Sequence, residues 1–200
     1  MTVELLDLWL PIVLGAVIVF IAGSLAWMAL PHHKADIKPL PDEDAYKDAI
    51  KGLNIPAGLY MYPHCHTPTG EKHADAAERY KTGPWGLITV SAGMPNFVRN
   101  LAINFIECLA ISFVVAYLCT IALPPTDDYM RVFRFAGTAA FLGFALGSFS
   151  NDAFLGKPSR FQVTCLIDAA VYALLVAGVF AWLWPEGGLP INGADAIPTP

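Results

Sequence analysis

The sequence predicts an all-α integral membrane protein: four transmembrane helices, with a small α+β insertion between helices 1 and 2. Three observations carry that expectation. Of 200 residues, 56% are hydrophobic and only 14% charged, where a soluble domain carries about 25% charged residues. The apolar residues gather into four runs, each near the ~20 residues a helix needs to cross a bilayer core. The polar residues gather between the first two runs, with helix and strand signals of their own.

The first run is Leu8 to Leu30. Its flank, "MTVELLD", is acidic and lacks Lys or Arg, and no small-x-small cleavage site follows it. It therefore reads as a retained helix rather than a signal peptide. Residues 31–100 form the insertion. "LPDEDAYKDAIKG" has acidic residues at 42–44, Lys51 near its end and Gly52 as a stop, the polarity a short helix favours. "AGLYMYP" and "WGLITVS" read as strands, and "EKHADAAERYKTG" as a second short helix. Two strands and two short helices make a marginal core, so the insertion is expected to lean on the membrane or on a partner. The remaining spans are residues 101–123, 132–149 and 163–184, of which 132–149 is the shortest and most Gly-rich, followed by a flexible external tail at 185–200.

Basic residues near span ends mark the cytoplasmic side. Lys34, Lys38, Arg99, Lys157 and Arg160 fall at one end of the expected bundle; Arg131 and Arg134, offset by Asp127 and Asp128, fall at the other. This predicts a cytoplasmic insertion and external termini. Trp9, Trp182 and Trp184 then sit at the outer interface and Trp27 at the inner one, as aromatic belts prefer. A net charge of −5 with no Lys/Arg cluster gives no nucleic-acid footprint.

Chemistry-bearing residues form two constellations. All five histidines lie in the insertion, beside Cys65. A site built from His64 or His66, Cys65, and His32, His33 or His73 would offer imidazole and thiolate to zinc or copper. The competing reading is an ordinary loop, since histidine avoids lipid and the spacing matches no zinc motif. In an extended strand His64 and His66 share a face while Cys65 points away. The other three cysteines, 108, 119 and 165, lie in spans and act as small hydrophobes.

The second constellation is intramembrane. Asn100, Asn104 and Glu107 follow one helix face, as do Arg160, Thr164 and Asp168. Both acids are expected at a similar depth, roughly 8–10 Å inside the cytoplasmic surface. Acids there face a wet cavity or a partner, with Arg160 a candidate counter-ion. The two readings are a proton, ion or lipid-headgroup site and a packing network. Ala136, Ala140, Gly143 and Gly147 on span three, and Ala169, Ala173, Ala177 and Ala181 on span four, are small residues at the spacing that lets helix backbones approach.

The order of "LPHHKAD", "LPDEDA", "PAGLYMYPHC" and "GPWGLITV" between a first span and three more resembles a family of short bacterial multi-span membrane proteins of unknown function. The resemblance covers Trp9 to Trp184 and implies four spans in a bacterial inner membrane; it carries no activity, cofactor or catalytic residue over to this chain. No nucleotide loop, G-x-S-x-G, HExxH or catalytic carboxylate pair appears in the sequence. The expectation is a non-catalytic accessory or scaffold subunit that meets the bilayer and a protein partner. Two alternatives are a zinc- or copper-handling protein and a small carrier using Glu107 and Asp168.

Overall fold

A computed structural model of the chain describes residues 3–64, 78 and 80–185. Four helical segments are long and apolar enough to cross a membrane: Leu5–Met28, Phe97–Ala122, Tyr129–Phe154 and Ser159–Trp182. The first is a 3-10 turn, Leu5–Leu8, running into α1 (Trp9–Met28). Pro11 sits in the first turn of α1, where a missing N–H costs nothing.

The second span, α3 (Phe97–Ala122), starts four residues before its apolar run. The side chain of Asn96 caps it by accepting from the Arg99 N–H at 2.9 Å. The third starts at Tyr129 because Asp128 caps it in the same way, through the Arg131 N–H at 3.0 Å. It comprises α4 (Tyr129–Phe141), a π-helical turn at Leu142–Leu146 and α5 (Gly147–Phe154), and so runs past the apolar stretch into "SNDAF". The fourth, α6 (Ser159–Trp182), begins directly after Pro158. Span ends are thus set by capping residues, which hydropathy does not register.

The spans run up and down. Arg160 at the start of α6 reaches the chain just after α1, while the Trp184 indole N–H donates to the Pro124 carbonyl at the opposite end. The most enclosed span is α6, with 44% of its apolar stretch buried against 22–28% for the others. It packs along α4 and α1, and α1 packs along α3. Phe180, Val176, Val132, Val115 and Leu8 fill the centre. A Cβ on Gly137 would lie 3.1 Å from that of Ala177, and one on Gly15 would lie 3.3 Å from Ser112 Oγ. Ile21, Leu25, Ile103, Val114 and Leu174 remain exposed, an apolar outer surface suited to lipid.

Between α1 and α3 stand α2 (Glu43–Gly52) and an antiparallel pair, β1 (Gly58–Tyr62) and β2 (Gly86–Val90), in the register Leu59↔Thr89 and Met61↔Leu87. Asp42 caps α2 by accepting from the Ala45 N–H at 2.9 Å. No residue of α2 is buried, and both Leu59 and Met61 are exposed. The expected second insertion helix and the tail at 186–200 lie largely or wholly outside the described residues.

Candidate functional site

The two constellations expected separately are joined, one contributing histidines and the other an acid. After Met28 the chain turns sharply: the Lys34 N–H donates to the Pro31 carbonyl and the Asp36 N–H to that of His33. This turn swings His32, His33 and Asp36 back against the first turns of α6. Asp168 receives both histidines, His32 Nε2 at 3.0 Å from Oδ1 and His33 Nε2 at 2.7 Å from Oδ2. The second nitrogen of His33, Nδ1, lies 2.9 Å from Asp36 Oδ2. Arg160 completes the chain of contacts. Its Nε donates to Asp36 Oδ1 at 3.0 Å and its guanidinium also to the His32 carbonyl at 3.1 Å.

Each carboxylate oxygen and each His33 nitrogen is therefore used, as burial of such groups requires. His33 is 5% exposed and lies flat on Trp27, with ring centroids 3.8 Å apart and planes 10° from parallel. Burial alone would raise the Asp36 carboxyl. The hydrogen bond from His33 and the Arg160 guanidinium outweigh that and hold it below the usual carboxylate range.

Beside this junction, a cavity of about 370 Å³ opens between α1, α3 and α6, bordered by Asp168, Asn104, Glu107, Cys108, Cys165 and Tyr172. Both expected polar stripes thus reach one space within a single chain. They do not join: among the described residues no hydrogen bond or ion pair links Glu107 to Asp168. Asn100 stands exposed outside the cavity. Thr164 donates to the Arg160 carbonyl at 2.9 Å. Arg160, the expected counter-ion of the intramembrane acids, pairs with Asp36 instead, and the histidines take its place at Asp168.

His64 is exposed two residues beyond β1, and Cys65, His66 and His73 lie outside the described residues. Among the described residues, the group able to hold a metal ion is His32, His33 and Asp168, whose ligand atoms all lie within 4.8 Å of one another. Asp36 and Trp27 are the participants that sequence reasoning missed. Asp36 carried a readable signal: it follows His33 by three residues and shares its turn. Of the small-residue positions, Ala136, Ala140, Ala169, Ala173, Ala177 and Ala181 are buried. A Cβ on Gly143 would meet Ile111 at 3.1 Å, whereas Gly147 faces open space.

Chemically, the junction can hold protons between imidazole and carboxylate, or present two imidazoles and a carboxylate to a cation. No family model, curated protein or solved structure matches this chain, so the site is read from its geometry alone.

Proposed function

We propose that this chain is a non-catalytic multi-pass component of a bacterial inner membrane, which presents its insertion to a protein partner on the cytoplasmic side. One observation carries the reading: the insertion is anchored at its base and, among the described residues, buries nothing farther out. The 31–36 turn is pinned to α6 by the His–Asp–Arg network, while α2 has no buried residue and the hairpin exposes Leu59 at 62% and Met61 at 45%. Two strands alone are marginal in water, and among the described residues each has an edge with no strand beside it, which a partner's strand can extend. The orientation rests on the five basic residues Lys34, Lys38, Arg99, Lys157 and Arg160 at the insertion end of the bundle.

Three experiments test it. A photo-crosslinking residue at Leu59 should give a discrete protein adduct in cells. Deleting residues 39–94 should reduce the detergent-solubilised complex to the free chain. Adducts to lipid alone, with unchanged complex size after the deletion, would sink the reading. For orientation, Leu59→Cys in a Cys65→Ser background should react with an impermeant maleimide only in inside-out vesicles.

A further inference from the structure

We propose that His32, His33 and Asp168 bind one divalent transition-metal ion of the zinc class at the junction of insertion and membrane, with Asp36 as its outer partner. The proposal is independent of whether the insertion docks a protein.

The first argument is convergence. Nitrogen–oxygen distances of 3.0 and 2.7 Å are close to the ~3.3 Å edge of a tetrahedron built on 2.0 Å metal–ligand bonds. The three ligand atoms, the two histidine nitrogens included, all lie within 4.8 Å of one another, so seating them on one ion draws the imidazoles together around a single carboxylate. Two imidazoles and a carboxylate suit zinc and its neighbours better than calcium or magnesium, which take oxygen ligands.

The second argument is orientation. A metal-bound histidine donates its other ring N–H to a carboxylate or carbonyl, which fixes the tautomer. His33 already does so: its Nδ1 lies on Asp36, which Arg160 holds from the far side. With the proton of Nδ1 committed there, Nε2 is the nitrogen left for a metal.

The third argument is access. The His32 side chain is 32% exposed against 4% for His33, so one ligand stands at the water side of the site. Asp168 also borders the 370 Å³ cavity, which leaves room for water as a fourth ligand. Loading is balanced in protons. The His33 Nε2 proton leaves to solvent, that of His32 leaves or moves to its free Nδ1, and the ion occupies the space between the three donors.

The test uses the full chain in mild detergent, with a histidine-free tag and after chelator stripping. It is dialysed against Zn2+ or Co2+, and bound metal is counted by mass spectrometry. The expected result is one ion per chain, with Co2+ giving visible d–d absorption. His32→Ala should weaken binding at least about tenfold, and Asp36→Asn by about 10–100-fold. His32→Ala leaves the contacts of His33 with Asp36 and Asp168 in place and removes one from Asp168 Oδ1, so its metal-free unfolding midpoint should fall less than that of Asp168→Ala. A combined His64→Ala, Cys65→Ser, His66→Ala, His73→Ala chain should keep the ion. No uptake by the parent chain would overturn the proposal, as would unchanged affinity in His32→Ala and Asp36→Asn. Loss of the ion only in the combined loop variant would equally overturn it and move the metal to the loop.

Discussion

The junction at the end of the helical bundle and the insertion beyond it use similar residues to opposite ends. In the junction, polar side chains are partnered across 124 to 136 positions of sequence. In α2, the ion pairs are local: Lys47 reaches Glu43 and Asp44, with Lys47 57% exposed. Exposed pairs of this kind contribute about 0–1 kcal/mol, whereas an enclosed network is costly to break because each member would be left without its partner. The contrast teaches that, among the described residues, long-range contacts between polar side chains gather at one place, the point where the insertion leaves the bundle.

The largest break in that contrast should come from Asp168→Ala, which leaves two histidines facing an emptied site. A loss of about 3–5 kcal/mol is expected, read as a lowered unfolding midpoint in detergent with faster proteolysis of the insertion. Trp27→Ala removes the stack on His33 and should cost about 1–2 kcal/mol by the same measurement. Asp42→Ala sharpens the comparison from the other side. Losing the cap should cost α2 about 1 kcal/mol, seen as faster hydrogen exchange in residues 43–52, while the midpoint of the bundle stays unchanged.

The smallest effect is that of acid. Asp36 is held below its ordinary value of 3.8, so its contribution is fully present above that pH. It is lost only as pH falls through the depressed value of the folded state. Unfolding midpoints should therefore show no Asp36-dependent change from pH 7 to about 4.5, and a drop below about 4 that is absent in Asp36→Asn. A drop already complete at pH 5 would contradict the pairing with Arg160.

The four spans were legible because apolar runs of bilayer length are hard to build for another purpose. Their ends were less so: Asn96 and Asp128 extend helices into stretches that hydropathy discounts. At the candidate site, the residue types were legible and the grouping was not. His32 and His33 were weighed with the distant "PHCH" loop, and Asp168 with Arg160, because nothing local shows that residue 33 will meet residue 168. The clue available was depth: a histidine pair just past the end of one span and an acid just inside another lie near the same membrane surface. Trp27 gave no signal beyond that of an interfacial aromatic.

The π turn at Leu142–Leu146 has a consequence for the phase of the third span. Such a turn carries one residue more than an α-helix would use over the same path, and one residue is about 100° of rotation. Up to that turn, Ala136 and Ala140 face the interior. Ala145 is the buried position within the turn, and past it the buried position is Asp152, paired to Lys157 at 2.7 Å. The extra residue works as an angular offset between two halves of one helix. Removing it would leave the packing of α4 on α6 in place and swing Asp152 about a quarter turn away from Lys157, uncoupling the end of the third span from the start of the fourth.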